Sequence, residues 1–322
     1  MTSARAEVEP TSAADRRIRA LRPPKPVADP LVAHGALVEE ERRPGGHREQ
    51  ALTVFLTGAE CPFTCAFCDL WRWTIDGATP PGALVRQLER VLAEHDGVRL
   101  DRLKLYNASN FFDARAVPSA DLPAIARLAD RFASVTVESH VNSIGPSALR
   151  FASQLRGRLE IAVGLETVHP VAAARLNKRL DLDRFARAAR FLADNGIDLR
   201  VFVLLGAPHV PAAEAVEWTV RSVDVAAQQG AAVVSIIPVR GGNGEMERLQ
   251  AIGAFTPPTL RQLEEALDAC AAHRTTVVTA DLWDAALLAG CESCRQARVA
   301  RLARINVTGR SEPPVACDRC DR

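Results

Sequence analysis

Short apolar runs alternate along this chain with segments whose apolar residues are spaced as on one face of a helix. The first run, Ala51 to Thr57, is followed by Leu84, Leu88 and Val91 at helical spacing. Further strand-like runs lie at 103–106, 135–137, 159–163, 199–205 and 232–237, with a weaker one at 275–279. Nearly continuous apolar strands that alternate with helices predict a parallel sheet covered by helices, and therefore an α/β fold.

Six or seven such strand–helix units suit an incomplete or complete (β/α) barrel. The alternative is an open Rossmann-like sheet, but its first βα turn would carry GxGxxG where this chain has cysteines. Within the pattern, Asp181 is predicted to cap the helix that carries Phe185, and Asn195-Gly196 is predicted to end it.

The two ends of the chain lack this alternation. Residues 1–28 have mixed charges and a proline-rich stretch, which predicts a disordered tail. Residues 29–49 are predicted to form an N-terminal arm, residues 50–285 the barrel, and residues 286–322 a small extension with four cysteines.

Composition narrows the class of protein. A chain of 322 residues with 48% apolar residues can bury a large core, and its net charge of +1 gives no global case for nucleic-acid binding. No run approaches the ~18 apolar residues of a membrane span, and the N-terminal segment has no apolar signal core. We therefore expect a cytoplasmic protein without a membrane partner, in which metal or cluster ligation explains the eight cysteines more readily than disulfides do.

The segment from Cys61 to Cys68 holds three cysteines at CxxxCxxC spacing, directly after the first predicted strand. Three thiolates on one loop can hold three corners of an iron–sulfur cube and leave the fourth iron open to a small molecule. A structural zinc loop and cysteines packed in a core are the alternatives. Zinc would need a fourth ligand, and the neighbouring Asp69 is a poor candidate.

This loop, with Phe67 just before its third cysteine, resembles the signature of the radical SAM superfamily. The resemblance implies a partial (β/α)6-type barrel in which Cys61, Cys65 and Cys68 bind a [4Fe-4S] cluster and S-adenosyl-L-methionine chelates the open iron. It also implies reductive cleavage to a 5′-deoxyadenosyl radical, hydrogen abstraction from a substrate, and an electron donor such as flavodoxin or ferredoxin. The enzyme would be of lyase or oxidoreductase type.

Active sites of such barrels lie at the carboxyl ends of the strands, which selects further candidates. Ser109 and Asn110 follow the second strand, where the superfamily usually carries a GGE-like turn that this chain lacks. Glu138, Glu166 and Arg200 follow or lie in later strands. With Phe67, these five residues are predicted to contact the cofactor, and the alternative for the three charged ones is an internal salt bridge.

Several segments resemble one branch of the superfamily more closely. They are Val163 to Thr167, Leu176 to Arg179, Leu204 to Pro208 and Asn110 to Asp113. They are similar to the Elongator-catalytic-subunit-like branch, including the radical SAM subunits of archaeosine synthases, over roughly residues 50 to 240. The resemblance implies a lyase step on a lysine-bearing deazaguanine in tRNA as the candidate activity.

Near the C-terminus, Cys291, Cys294, Cys317 and Cys320 form a CxxC…CxxC pair. Four thiolates predict a metal site: structural zinc is favoured, and an auxiliary Fe–S cluster is the alternative. The arginines from Arg295 to Arg304 recur every third residue on a helix-like stretch, as a phosphate-contacting stripe or a solvated helix face would. Cys270 is predicted to be a core residue.

Three functions remain open from the sequence. The first is a radical SAM enzyme that acts on a modified nucleoside in tRNA. The second is a radical SAM enzyme that acts on a small molecule in a biosynthetic pathway. The third is a non-catalytic, zinc-stabilised RNA-binding protein, which would not cleave S-adenosylmethionine.

Overall fold

A computed structural model describes Glu9 and residues 11–320. One sheet of eight strands runs through it in the order β1 to β8. The strands are β1 Gly35–Arg42, β2 Arg48–Phe55, β3 Arg102–Tyr106, β4 Ser134–Glu138, β5 Arg158–Glu166, β6 Asp198–Leu205, β7 Val233–Pro238 and β8 Val277–Ala280. Strand β1 pairs antiparallel with β2, and β2 to β8 are all parallel.

The strand order decides between the two predicted architectures. Each parallel strand pairs with the next one along the chain, so the sheet has no point at which the strand order reverses, as a doubly wound sheet must have. Because βα crossovers are right-handed, a strictly sequential order puts all the helices on one face. The predicted α/β partial barrel is therefore confirmed, with seven parallel strands, and the Rossmann-like alternative is wrong.

Ten helices accompany the sheet in the described part of the chain. They are α1 Thr11–Leu21, α2 Ala83–Glu94, α3 Leu122–Ala129, α4 Pro146–Ala152, α5 Pro170–Arg175, α6 Leu182–Asp194, α7 Ala215–Gln228, α8 Glu245–Ala251, α9 Leu260–Ala269 and α10 Arg295–Thr308. The Asp181 side chain caps α6 as predicted, and Gly196, in the left-handed region at φ 66°, follows its last turn. None of these helices has the length and apolar character that crossing a bilayer demands.

The apolar core lies between the outer face of the sheet and the helices. Alternate strand residues such as Leu103, Leu105, Val135 and Val137 are fully buried there. The same core contains Cys270, which confirms its predicted role. Burial of one face by helices explains why apolar residues recur at every second position of these strands.

The inner face of the curled sheet is charged. Lys104 Nζ lies 2.5 Å from carboxylate oxygens of both Glu39 and Glu41. Arg200 bonds Glu41 over 2.7 Å and Glu160 over 2.8 Å. Since buried charges need partners, these ion pairs let charged side chains fill the interior of the barrel.

Both N-terminal segments contain regular structure. Residues 1–8 and 10 of the predicted tail lie outside the described residues, but within 11–28 the chain forms α1, whose Ala14 and Ile18 are buried. In the predicted arm, β1 supplies Glu39 and Glu41 to the inner ion pairs. The predicted boundaries of the four segments remain predictions.

The C-terminal helix α10 closes the side of the barrel. It packs against both β1 and β8, the two edges of the sheet. The partial barrel therefore has an added wall at its lateral opening, in agreement with the predicted small C-terminal extension.

Candidate active site at the barrel mouth

The three-cysteine loop follows β2 at the carboxyl edge of the sheet. Cys61, Cys65 and Cys68 are free thiols of intermediate exposure. Burial raises the pKa of Cys61, raises that of Cys65 to about 12, and raises that of Cys68 well above its usual value. Because binding to a metal requires thiolates, a metal or cluster entering this loop would displace three protons.

Side chains from other parts of the chain fix the backbone of this loop. Asn243, after β7, donates to the carbonyls of Ala66 over 2.8 Å and Cys68 over 3.2 Å. Asn177 donates to the carbonyl of Thr64 over 2.8 Å. Ala66 N–H in turn donates to the carbonyl of Leu176 over 2.9 Å. The loop is held from two sides, so its geometry depends on residues distant in sequence.

Helix α1 packs against the cysteine loop. Asp15 accepts hydrogen bonds from the Thr64 hydroxyl and from Asn177, and pairs with Arg179 over 2.6 Å. Ile18 is buried in a second apolar cluster that also contains Ala66 of the loop. The helix therefore contributes both polar and apolar contacts to the mouth of the barrel.

The turn after β3 lies beside the first cysteine. Asn110 Nδ2 is 3.7 Å from Cys61 Sγ, and its Oδ1 accepts from the backbone N–H of His140. Glu138 accepts the N–H of Asn107 over 2.6 Å and also bonds those of Ala108 and Ser109. Burial raises the pKa of Glu138 to about 7 despite these hydrogen bonds. Glu138 thus holds the turn that carries Ser109 and Asn110.

A buried ion pair lies on the other side of the loop. Lys178 Nζ bonds Glu166, and its ammonium lies 6.0 Å from the centre of the Phe67 ring. Burial alone would lower the pKa of Lys178, but the Glu166 carboxylate raises it above its ordinary value. A fixed positive charge beside the cysteines favours their thiolate forms.

Backbone conformation explains how Glu166 reaches Lys178. A β-bulge interrupts the β5–β6 register between Gly164 and Glu166, and Glu166 has a φ of 68°. Ala108, Asn177 and Arg179 also have positive φ, so most such non-glycine residues of the described chain surround the cysteine loop. Strained backbone of this kind clusters at functional sites.

The structure brings together most of the predicted contacts and leaves one out. Phe67, Ser109, Asn110, Glu138 and Glu166 all lie around the cysteine loop. Arg200 does not; its guanidinium is held by Glu160 and Glu41 in the interior, as the internal-salt-bridge alternative describes. Lys178, Asn243 and Asp15 were not among the predicted site residues. Asn243 could have been found, because it follows β7 at the same edge of the sheet.

Two observations test whether these residues fit an iron–sulfur cluster with S-adenosylmethionine. The Ser109 hydroxyl and the Asn107 carboxamide are buried and have no hydrogen-bond partner within the described chain. Buried polar atoms rarely remain unpaired, so unpaired polar groups in the turn whose Asn110 lies beside Cys61 indicate a place for a polar ligand. The donor set of three soft thiolates suits iron–sulfur chemistry, and the residues fit the group.

The second metal site is compact. The sulfurs of Cys291, Cys294, Cys317 and Cys320 all lie within 4.8 Å of one another. Cys291 and Cys317 are 3.8 Å apart, as are Cys294 and Cys320. Arg298 of α10 donates to Cys294 over 3.0 Å and to Cys320 over 3.4 Å.

The central arginines of α10 form buried ion pairs rather than a phosphate-contacting stripe. Arg298 and Arg301 are buried and pair with Glu264, and Arg301 also pairs with Asp268 over 2.9 Å. Arg304 pairs with Glu312 over 2.8 Å. Both predictions for this stretch, a phosphate-contacting stripe and a solvated helix face, are therefore wrong for its central arginines.

Known family models and solved structures were compared with the chain. No family model matches the chain. Among solved structures, one that the chain partly resembles is Methanocaldococcus infernus Elp3 without its N-terminus (TM-score 0.48, 14% identity, 60% of this chain and 51% of that one). Another is Streptococcus suis SuiB bound to precursor peptide SuiA (TM-score 0.47, 14% identity, 74% of this chain and 48% of that one). The chain spans about half the length of each of these two proteins.

A curated relative gives the sequence match. Archaeosine synthase subunit beta from Methanosarcina acetivorans is 26% identical over 262 residues, which cover 78% of this chain and 75% of the relative. The resemblance to an archaeosine synthase subunit that the motifs predict is thereby confirmed, and the chain is similar to archaeosine synthase subunit beta along most of its length.

Proposed function

We propose that this chain is a radical SAM enzyme whose substrate is a modified nucleoside in tRNA. The observation that carries the proposal is the Cys61–Cys65–Cys68 loop at the carboxyl edge of a partial (β/α) barrel, next to the unpaired Ser109 hydroxyl. A reduced [4Fe-4S] cluster held by this loop would supply one electron for the cleavage of S-adenosylmethionine, and the resulting 5′-deoxyadenosyl radical would remove hydrogen from a substrate carbon.

The residues around the loop have separate proposed roles in binding the cluster and the cofactor. The three cysteines would hold the cluster, while Asn243 and Asn177 hold the loop backbone in place. Ser109 and Asn110 are the proposed contacts of the methionyl group, and Glu138 fixes their turn through its hydrogen bonds to backbone N–H groups. Glu166 keeps the Lys178 ammonium beside the thiolates. Phe67 packs against the apolar cluster that contains Ala66 of the loop, with the Lys178 ammonium 6.0 Å from its ring centre.

The nucleoside substrate is supported by the relative, whose name is that of an archaeosine synthase subunit. We also propose a single-electron donor, either a flavodoxin or a ferredoxin, because the cluster must be reduced before S-adenosylmethionine can be cleaved. A small-molecule substrate is the second candidate, and the charged interior of the barrel, with Lys104 and Arg200, suits polar ligands of either kind.

The second site is proposed to hold one zinc ion rather than an auxiliary cluster. Tetrahedral zinc with Zn–S bonds of about 2.3 Å places its sulfurs about 3.8 Å apart, which equals the two separations between opposing cysteines. Sulfurs that bind four separate irons of a cube would lie farther from one another. Arg298 would offset part of the negative charge of four thiolates.

The decisive experiment is anaerobic reconstitution with iron and sulfide, followed by S-adenosylmethionine and dithionite. We expect the wild type to form 5′-deoxyadenosine, detected by mass spectrometry, and Cys65→Ala to form none. Cys270→Ala is the matched control, because Cys270 is a buried core cysteine remote from the loop. Wild type that holds the cluster spectroscopically, yet forms no 5′-deoxyadenosine with or without tRNA, would support the non-catalytic RNA-binding alternative.

A further inference from the structure

Four aromatic rings line the inner face of the barrel. Phe55 ends β2, Tyr106 ends β3, Phe202 lies in β6, and Trp283 follows β8. Ring centres are 5.4 Å apart for Phe55 and Trp283, 6.3 Å for Phe55 and Tyr106, and 6.1 Å for Tyr106 and Phe202. The rings therefore form a continuous wall that spans the barrel from β2 to β6 and reaches the loop after β8.

These rings are not part of the apolar cores. Their neighbours along each strand, such as Val54, Leu105 and Val201, point outward into the main core, so alternation turns the rings inward. Phe55, Tyr106 and Phe202 are only partly buried, and Trp283 is 63% exposed. Aromatic side chains left open in the concave interior of a barrel are typical of a ligand site.

The wall lies between two polar layers. Below it, Lys104 Nζ is 5.7 Å from the centre of the Tyr106 ring and belongs to the inner ion pairs. Above it, the turn that carries Ser109 follows Tyr106 directly, and Cys61 follows Phe55 by six residues. A ligand against the rings would therefore sit between a charged floor and the proposed cofactor site.

The orientation of the rings favours a planar occupant. The Phe55–Trp283 and Tyr106–Phe202 pairs are inclined at 70° and 76°, and Phe55 and Tyr106 at 46°. None of these three pairs is stacked face to face, and in an edge-to-face pair the ring that contributes its edge keeps both faces free of that partner. Every nucleobase has a flat π-face that stacks on such rings, and its polar edge needs donors and acceptors like those of the charged floor.

We propose that Phe55, Tyr106, Phe202 and Trp283 form the site that binds the substrate's nucleobase by stacking. The inference deepens the proposed function and rests on it, since it assigns the base-binding surface of the same barrel. It predicts that a planar heteroaromatic ring is recognised even when it is detached from RNA.

The test uses the reconstituted full chain with S-adenosylmethionine and titrates 7-deazaguanosine as the probe. Binding is followed by tryptophan fluorescence and by saturation-transfer NMR, with D-ribose as the probe that lacks an aromatic ring. We expect Trp283→Ala and Phe202→Leu to weaken binding about 5- to 150-fold, the range for loss of one base-stacking side chain. Trp218→Phe is the matched control, because Trp218 lies on α7 and packs against His169.

The outcomes separate the site from the proposed function. Equal affinity in wild type, Trp283→Ala and Phe202→Leu would overturn the site, as would no binding at millimolar nucleoside or equal binding of ribose. If free lysine displaces the nucleoside, and Trp283→Ala and Phe202→Leu weaken the binding of lysine as well, the rings hold an aliphatic group and the nucleobase site is overturned. Formation of 5′-deoxyadenosine is measured in the same samples. Ring-dependent nucleoside binding without that product would leave the site standing and remove the enzymatic proposal.

Discussion

Asn306 of α10 pairs with the edge of the sheet through Ala280 of β8. Its carboxamide accepts the Ala280 N–H over 2.9 Å and donates to the Ala280 carbonyl over 2.8 Å. One side chain thereby reproduces the two hydrogen bonds that a ninth strand would make at this position. Because an open strand edge invites pairing with other chains, this contact protects the lateral opening of the partial barrel.

Asn306→Ala should lower the free energy of unfolding by about 2 kcal/mol, since it leaves a partly buried N–H and C=O without partners. Denaturation in urea measures the change, and hydrogen exchange at the Ala280 amide should become faster. Gln296→Ala, at an exposed position of the same helix, is the control. An unchanged Ala280 exchange rate would mean that the edge is protected by packing alone.

The proposed zinc site can be tested apart from the cluster. We expect purified protein to contain about one zinc ion per chain and Cys294→Ser to lose it, because a tetrahedral site with three protein ligands is open to water. Cys294→Ser should still incorporate iron at the loop after reconstitution, whereas Cys65→Ala should lose that iron and keep the zinc. Analysis of the iron and zinc content of both variants measures the occupancy of each site. Iron in place of zinc at the C-terminal cysteines would favour the auxiliary-cluster alternative.

Gly164 leaves the space that the Glu166–Lys178 pair occupies. A Cβ at position 164 would overlap both Lys178 Nζ and Glu166 Oε1. We expect Gly164→Ala to fold, because both ends are flexible, but to displace the ammonium from the thiolates and retain less iron after desalting. Gly35→Ala is the control, since its Cβ would make only an ordinary contact, 3.8 Å from Phe55. Equal iron retention in both variants would contradict the role given to the pair.

The outer face of the sheet could be predicted from the sequence, and the inner face could not. All seven parallel strands were visible because helices bury their outward residues, so each strand carries an apolar residue at every second position or more often. Strand β1 was missed because its inward residues are glutamates. Glu39 and Glu41 are typical of a solvated arm until Lys104 and Arg200 come from other strands to pair with them.

The candidate site shows the same division. The cysteine spacing revealed the cluster loop, and the rule that sites lie at strand ends found Ser109, Asn110, Glu138 and Glu166. Arg200 was misleading, because a charged residue in a strand gives no sign of its partner. Helix α1 was missed since only two of its residues, Ala14 and Ile18, are buried, so its apolar face is too narrow to stand out.

The inner ion pairs predict a measurable acid sensitivity. Burial alone would raise the pKa of Glu41, but Arg200 and Lys104 lower it from 4.5 to about 2. A lowered carboxylate pKa stabilises the fold above pH 4.5, and this stabilisation is lost as the pH falls toward 2. The difference corresponds to about 3 kcal/mol.

Glu41→Gln should therefore be less stable than the wild type by about 3 kcal/mol at pH 7 and nearly equal to it at pH 2. Denaturation curves between pH 2 and pH 7 measure both values. Glu40→Gln provides the control, since Glu40 is exposed and pairs at the surface with Arg48. Parallel pH profiles for wild type and Glu41→Gln would show that the carboxylate titrates alike in the folded and unfolded chains.

Asp15 connects α1 to the cluster loop and gives a test of the helix that the sequence did not reveal. Its carboxylate holds Thr64 of the loop as well as Asn177 and Arg179. We expect Asp15→Ala to fold normally but to lose its reconstituted cluster several-fold faster in air, because the loop opens more often to solvent. The decay of the cluster's visible absorption measures this without any assay of activity. Arg16→Ala, on the exposed side of the same helix, should decay like the wild type. If Asp15→Ala also decays at the wild-type rate, the apolar contacts of Ala14 and Ile18 suffice to hold the helix over the loop.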